Sequence, residues 1–273
     1  MASIAGLRQL PASAPVVQKA LVCLEKVDFS VTALKHILLS DHAVAARILR
    51  LANSAYFGFR SEVQTVSHAV VLLGQTRIQT LLRRMLADRL MVELGHGRPA
   101  ATPIRRLSLA TATASSMLAQ WLNFGDLEEM LLAGLLHNIG ELFVFSQFPK
   151  EHDQITKAED RCQAARAILG ITMGRAGRLL LEHWEFPALY PVVAEFCEEP
   201  LSPECPPALG RAVALVHAAR KVAAAYLAGA DPAAMAQRPH PGVMEILRLD
   251  DRVLMEVYQA LPERMSIEQP QAN

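Results

Sequence analysis

Apolar residues recur at helical spacing along almost the whole chain, and this periodicity limits the possible folds more than any other feature of the sequence. Val31, Leu34, Ile37 and Leu38, for example, fall on one face of a helix. No segment shows sustained alternation of polar and apolar residues, and no Asn-Gly or Asp-Gly pair joins two β-branched runs. The sequence therefore predicts an all-α fold.

Short polar residues at the predicted helix ends support this assignment. Ser30 and Asp41 each precede an apolar periodic stretch, where a side-chain oxygen can accept a hydrogen bond from a free backbone N–H. Thr65 or Ser67 opens a further helix. Gly74 is predicted to end that helix, because glycine readily adopts the left-handed conformation that follows many helices.

Two longer stretches are each predicted to form one helix. The first carries Met130 to Phe145 with Asp126 as its cap, and the second runs from Asp153 to Leu169. Two glycines and two prolines between Gly95 and Pro103 mark the best internal boundary. We therefore expect an N-terminal helical lobe over residues 1–97, a second helical lobe over 98–230, and C-terminal helices with a flexible tail over 231–273.

The charge balance argues against a general polyanion binder. Among 273 residues there are 27 Lys plus Arg and 27 Asp plus Glu, so no long-range field attracts nucleic acid or anionic lipid. Aromatic residues make up 5%, too few for a base-stacking platform. Binding to nucleic acid is therefore not expected.

Cysteine usage and the N-terminus point to a reduced, cytoplasmic protein. The four cysteines form no C-x-x-C pair, and the first residues lack the charged and apolar regions of a signal peptide. Apolar runs such as Met130–Leu136 are too short to span a bilayer, so we expect no contact with a membrane.

The string from Ala133 to Leu142 contains the most informative residues. Its His-Asn-Ile-Gly-Glu segment, starting at His137, resembles the His-Asp-Ile-Gly-Lys core of the HD superfamily of metal-dependent phosphohydrolases. In that superfamily the adjacent His and Asp bind a cation, which lowers the pKa of a bound water for attack on a phosphoester. No phosphate-binding loop, nucleophile elbow or His-Glu-x-x-His motif is present.

Three motifs in the N-terminal half sharpen the resemblance. Leu10–Pro15 looks like a Leu-Pro-x-Leu-Pro opening, Arg47–Gly58 contains an Asn-Ser signature, and Ser67–Gly74 is similar to Ser-x-x-x-Ala-Ile-x-x-Leu-Gly. With the later His-Asn-Ile-Gly string they resemble the HDOD family, the HD-related output domain of bacterial signalling proteins. This resemblance covers Leu10 to Tyr226 and implies an N-terminal HDOD-specific lobe followed by a degenerate HD-type lobe. Its signature positions, structural or partner-binding, are Asn53, Ser54, Tyr56 and Gly58.

The resemblance also implies a metal site that has lost its ligands. Only His137 is retained, and one neutral imidazole does not hold a catalytic divalent ion. We therefore expect no cofactor, no metal and no metal-dependent hydrolysis. The other corresponding positions hold Leu107, Asn138, Glu141, Met173, Phe196, Cys197 and Arg220.

His137 and Arg220 each allow two interpretations. His137 is either a relic ligand or a packed histidine bonded to a neighbouring carbonyl, and we favour the packed histidine because buried polar groups find partners. Arg220 either pairs with Asn138 and Glu141 at the former metal site or lies on a solvated helix face, where most arginines are found.

The signature residues and the arginines also have a structural and a functional interpretation. For Asn53 and Ser54 a structural turn is favoured over a partner contact, because Asn and Ser stabilise turns. The basic stretch is interpreted first as a solvated helix face and second as a patch for an anionic ligand. Its members are Arg77, Arg83, Arg84, Arg105 and Arg106.

The sequence thus predicts a non-catalytic bacterial signal-transduction module. As the resemblance implies, it would bind signalling proteins in trans, in a cyclic di-GMP or two-component pathway. One alternative is a nucleotide sensor that binds a cyclic dinucleotide. Another is a residual phosphohydrolase with an atypical metal site. The oligomeric state is left open.

Overall fold

A computed structural model describes residues 15–26, 28–53, 62–95, 99–230 and 238–268. Every regular element within these ranges is helical, which confirms the predicted all-α fold. The chain divides into two compact units: the N-terminal unit, Leu10–Leu90, and the C-terminal unit, which contains Met91–Asn273. The lobe boundaries predicted at residues 97 and 230 stay predictions.

In the N-terminal unit, short polar side chains cap the helices. The hydroxyl of Ser30 accepts a hydrogen bond from the backbone N–H of Ala33, and the Asp41 carboxylate accepts from Ala43 at 2.9 Å. Thr65 caps the next helix. These contacts confirm the predicted helix starts. The helices are α1 (Pro15–Leu24), α2 (Val31–Leu39), α3 (His42–Ala52) and α4 (Val66–Gly95), the last of which continues into the C-terminal unit.

Helix α4 is interrupted at Gly74. This residue has a φ of 75° and a ψ of 170°, which are outside the helical region and favour glycine over residues with a side chain. The predicted helix end at Gly74 is therefore confirmed. Just after the interruption, the Gln75 side-chain amide donates a hydrogen bond to the carbonyl of Leu24, which ties α4 to the end of α1.

The C-terminal unit is built around α5, which packs against α6, α12 and α14. Helix α10 packs against α7 and α11, and these helices surround the site described below. A 3-10 helix at Pro99–Ala101 precedes α5. The helices are α5 (Thr102–Leu122), α6 (Leu127–Leu136), α7 (Ile139–Gln147), α8 (Pro149–Thr156), α9 (Arg161–Leu169), α10 (Met173–His183), α11 (Leu189–Phe196), α12 (Pro207–Leu227), α13 (Pro241–Leu247) and α14 (Asp251–Glu268).

The single helices predicted over Met130–Phe145 and over Asp153–Leu169 are wrong, because each stretch forms two helices. The stretch from Met130 to Phe145 breaks at His137–Asn138, where Asn138 has a φ of −112° and a ψ of 16°. The stretch from Asp153 to Leu169 ends its first helix at Thr156 and starts again after Asp160, whose carboxylate caps α9. The apolar residues continue across the first break, so periodicity alone does not reveal it.

The segment Leu127–Gln147 has the length and apolar composition of a membrane-crossing helix. However, 89% of its most apolar window is buried inside the fold, as in the core helices of soluble proteins. The break at His137–Asn138 also divides it into two shorter helices.

Candidate functional site

The junction between α6 and α7 positions the histidine of the family motif. Asp126 caps the start of α6 by accepting from the N–H groups of Glu128 and Glu129. At the other end of α6, the buried His137 ring places its Nδ1 2.6 Å from the carbonyl oxygen of Gly134. The ring is thus bonded to a neighbouring carbonyl, as the interpretation as a packed histidine expects. The interpretation as a relic ligand concerns Nε2 and stays a prediction.

The buried His137 ring is neutral at physiological pH. Burial and the nearby Arg220 guanidinium lower its pKa to about 3, although the Gly134 carbonyl and Glu141 act in the opposite direction. Because a carbonyl only accepts hydrogen bonds, Nδ1 of the neutral ring must carry the hydrogen. Nε2 then carries a lone pair that can accept a hydrogen bond, and it has no partner among the described residues.

A small cavity lies beside this histidine, between residues of α7, α10, α11 and α12; we call it the central cavity. Its volume of about 20 Å³ is enough for one water molecule or an ion. The backbones of α7 and α10 approach closely here, because a Cβ atom at Gly140 would overlap the carbonyl oxygen of Met173.

Five of the eight former-ligand positions predicted from the sequence line the central cavity, and three do not. The lining positions are His137, Asn138, Glu141, Met173 and Arg220. Leu107 is half-buried on α5, and Phe196 and Cys197 are buried at the end of α11. The Cys197 carbonyl accepts a hydrogen bond from Nδ1 of His217 at 2.7 Å.

Glu141 is held in a buried ion-pair network. Its Oε1 lies 2.5 Å from the Arg161 guanidinium and 3.4 Å from Nε2 of His152. Burial alone would raise the pKa of this carboxyl, but His152 and Arg161 outweigh burial and lower it to about 2. Glu141 is therefore ionised and already occupied by cationic or hydrogen-bonding partners.

The hypothesis that Arg220 pairs with Asn138 and Glu141 is wrong. The Arg220 guanidinium donates a hydrogen bond to Glu198 at 2.8 Å, and Glu141 takes its charge partner from α9 instead. The alternative of a solvated position is also wrong, because the Arg220 side chain is only 14% exposed and lines the cavity.

The remaining carboxylates that line the cavity are paired with arginines in the same way. Glu195 contacts both Arg175 at 3.0 Å and Arg178 at 2.6 Å, and Glu199 contacts Arg166 at 3.4 Å. Sequence reasoning missed all of these residues. The only signals are short spacings: Arg175 and Arg178 are three apart on α10, and Glu195, Glu198 and Glu199 lie close together in the sequence at and just after the end of α11.

These residues do not fit the divalent metal that the HD superfamily uses. His137 offers one imidazole nitrogen, Asn138 brings no charge, and each cavity carboxylate is neutralised by an arginine. Arg220 adds a positive charge that repels a cation. Within the described ranges, no group of three or more His, Cys, Asp or Glu residues is placed to hold a metal.

Asn53 acts as a structural clamp in the N-terminal unit. Its side-chain Nδ2 donates to the carbonyl of Val63 at 2.9 Å, and its Oδ1 accepts from the Val63 N–H at 2.7 Å. This paired contact supports the predicted structural role, because it closes the chain on both sides of residues 54–61. The other signature positions, Ser54, Tyr56 and Gly58, lie outside the described residues.

The predicted arginine patch divides between the two units. On α4, Arg77 is exposed and Arg83 and Arg84 are half-buried, while on α5 Arg105 is half-buried and Arg106 is exposed.

A further arginine, which the sequence did not single out, lies near the first group. Burial, Arg84 and Arg50 lower the pKa of Arg47, whose guanidinium contacts the Asp88 carboxylate. Arg50 and Arg84 thus lie near Arg47, which itself contacts Asp88.

The helical fold and the small cavity with an incomplete ligand set define an HD-related domain. The HDOD domain family matches residues 10–200, which is most of the chain, so the chain belongs to the HDOD family. A protein of Treponema pallidum (strain Nichols), named "Uncharacterized protein", is 26% identical over 195 residues. The match covers 67% of this chain but 36% of that protein, so the chain spans about a third of the length of this relative.

Solved structures share the fold. A "Putative phosphohydrolase" from Shewanella amazonensis SB2B superposes with a TM-score of 0.69 at 24% identity, over 97% of this chain and 96% of that chain. A "Putative signal transduction protein" from Marinobacter aquaeolei VT8 gives a TM-score of 0.65 at 20% identity, over 96% of this chain and 59% of that chain. At these identities the likeness establishes the fold alone.

Proposed function

We propose that this HDOD protein is a non-catalytic signal-transduction module that acts by binding other proteins in a bacterial cytoplasm. The observation that carries the proposal is the state of the cavity carboxylates: Glu141, Glu195, Glu198 and Glu199 are each engaged by arginine. A hydrolase of this superfamily needs free anionic ligands to hold its cation. Here the arginines supply the positive charge, but a guanidinium does not lower the pKa of a bound water as a metal ion does.

The partner is proposed to be a signalling protein of a cyclic di-GMP or two-component pathway. The central cavity of about 20 Å³ is too small for a nucleotide, so recognition would take place on the surface. The name of the Marinobacter structure points the same way, since that protein is called a signal transduction protein. The greater length of the Treponema relative is compatible with an HDOD region that works beside other segments.

A hydrolysis assay tests the non-catalytic part of this proposal. Purified protein is incubated with phosphomonoester, phosphodiester and cyclic dinucleotide substrates in the presence of Mn²⁺, Fe²⁺ or Zn²⁺. Wild type and His137→Ala are expected to give the same background rate. Turnover by the wild type that the His137→Ala variant loses would identify His137 as part of an active centre and would overturn the proposal.

A nucleotide sensor is the second candidate, and the arginines around Asp88 favour it. Burial and the like charges of Arg84 and Arg50 lower the pKa of Arg47, and a phosphate group placed beside Arg47 would offset that repulsion. This candidate predicts a dose-dependent rise in melting temperature with cyclic di-GMP that Arg50→Gln reduces. The protein-binding proposal predicts no shift with the nucleotide, and GTP serves as the control for unspecific phosphate binding.

A further inference from the structure

Three buried polar atoms belong to residues that line the central cavity, and none of them has a partner among the described residues. They are Nε2 of His137, Nδ2 of Asn138 and Nε of Arg220. His137 and Asn138 are 5% and 7% exposed. An unsatisfied buried polar atom destabilises the fold, so three of them at one small cavity need an explanation.

The hydrogen-bonding roles of these atoms are fixed by their chemistry. Nδ1 of the neutral His137 ring donates to the Gly134 carbonyl, so Nε2 presents a lone pair and accepts. The Asn138 Nδ2 and Arg220 Nε atoms carry hydrogens and donate. Among the groups of the lining that have no partner in the described residues, the cavity therefore offers one acceptor and two donors.

This combination discriminates between the species that a cavity of this size can hold. A metal ion would use the His137 lone pair, but it would face N–H groups of Asn138 and the positive charge of Arg220. A chloride ion would accept from both donors, but the lone pair of His137 would repel it. A water molecule both donates and accepts, and 20 Å³ is room for one.

We propose that the central cavity is a binding site for a single ordered water molecule, in the place where the superfamily holds its metal. The water donates to Nε2 of His137 and accepts from Nδ2 of Asn138 and Nε of Arg220. It links the α6–α7 junction to α12. The inference rests on the proposed function, because it requires that no metal occupies the cavity.

A crystal structure at a resolution that shows ordered water tests the proposal. Diffraction data are collected on wild-type protein grown with added Mn²⁺ and Zn²⁺, above and below the absorption edges of both metals. The expected result is one spherical peak, about 2.6–3.2 Å from all three atoms, with no anomalous signal. An anomalous peak, density larger than one atom or the absence of a peak would each overturn the proposal.

The Asn138→Leu variant provides a second measurement. Leucine has a similar volume but removes one donor, so the peak is expected to weaken or disappear while the His137–Gly134 contact remains. A peak of unchanged height would contradict the assigned role of Asn138.

The control is Asn123→Ala, at the end of α5 and outside the cavity, which should leave the peak unchanged. Loss of the peak in this variant as well would mean that the Asn138→Leu result does not report on the cavity.

The outcomes also separate this proposal from the proposed function. A metal peak in a protein without hydrolytic turnover would exclude the water but leave the non-catalytic function intact. Turnover in the hydrolysis assay would exclude the proposed function whatever the cavity contains.

Discussion

The central cavity of the C-terminal unit and the arginine cluster of the N-terminal unit use the same residue type in opposite ways. At the cavity, each lining carboxylate has an arginine partner, and the Arg220 guanidinium is matched by Glu198. Around Asp88, by contrast, Arg47 is close enough to Arg50 and Arg84 for like charges to lower its pKa, together with burial. At the cavity each arginine is paired with a carboxylate from another segment, whereas in the N-terminal unit two further guanidinium groups lie near Arg47.

The difference shows two ways in which the fold accommodates guanidinium groups that are not fully solvated. An unpaired buried charge is strongly destabilising, and Glu198 supplies the charge partner of the largely buried Arg220 within the same unit. The Arg47 side chain is 37% exposed, so solvent and salt screen the repulsion from Arg50 and Arg84.

The largest effect is expected from closing the cavity at its helix crossing. In Gly140→Ala the new Cβ would overlap the Met173 carbonyl and lie 2.5 Å from the Gly177 nitrogen, and backbone atoms cannot move aside as a side chain can. We expect a loss of at least about 3 kcal/mol in the free energy of unfolding, measured by urea denaturation.

The matched control is Gly210→Ala, on α12, where a Cβ would meet nothing within 4 Å. This change should be neutral or stabilise by up to about 1 kcal/mol. Equal effects for the two variants would mean that α7 and α10 do not approach as closely as described.

The second effect concerns the charge balance at the cavity. Arg220→Ala leaves Glu198 without its partner, and we expect a loss of about 2–3 kcal/mol, below the full cost for a buried pair because Glu198 is partly exposed. Arg252→Ala is the control, since Arg252 is 80% exposed in its pair with Glu256 and should cost less than about 0.5 kcal/mol. Similar losses for both variants would remove the distinction between the buried network and a surface pair.

The third effect is a pH dependence that originates at and beside the cavity. The pKa of His137 falls to about 3, and burial lowers that of His217 to about 4. Below pH 6.5 the unfolded chain therefore binds more protons than the folded protein, and stability falls by about 1.4 kcal/mol per pH unit for each histidine. The ionised Glu141 carboxylate also stabilises the fold, but this contribution changes at lower pH. It is present above pH 4.5 and is lost as the pH falls towards the pKa of about 2.

Urea denaturation between pH 7.5 and 5 measures this dependence. His137→Gln removes one titrating group and should flatten the profile by about half, whereas the wild type loses about 2 kcal/mol per histidine by pH 5. An unchanged slope in His137→Gln would show that this ring is not kept neutral in the fold.

The smallest effect is expected in the N-terminal cluster. Arg50→Gln removes one charge that repels Arg47, and it should stabilise by a few tenths of a kcal/mol at low salt. The gain should vanish in 1 M salt, where the screening length is about 3 Å. Lys35→Gln, an exposed change on α2, is the control and should show no such salt-dependent gain. A gain that persists in high salt would show that repulsion is not its cause.

Local features of the fold were predictable from the sequence, and contacts between helices were not. Side chains such as Ser30 and Asp41 cap helices by bonding to backbone N–H groups two or three residues further on. The ability of glycine to adopt a positive φ predicted the helix end at Gly74. The break at His137–Asn138 was hidden, because the apolar residues continue across it. The family resemblance placed Arg220 near the former metal site but did not identify its partner.

The missed partners share one physical reason. Arg161 contacts Glu141 from 20 residues away, and Arg220 contacts Glu198 across 22 residues. Periodicity identifies which face of a helix is buried but not which side chain on another helix it meets. Tertiary packing therefore decides whether an arginine lies in solvent, as Arg252 does, or is buried beside the cavity, as Arg220 is.

Metal content is the most direct test of the claim that arginines have replaced the metal at this cavity. Protein purified without chelators or affinity metals, from cells grown with added Mn²⁺, Fe²⁺ and Zn²⁺, is measured by elemental analysis beside its His137→Ala variant. We predict metal far below one equivalent per chain in both samples. One equivalent in the wild type that His137→Ala loses would contradict this account and restore His137 as a metal ligand.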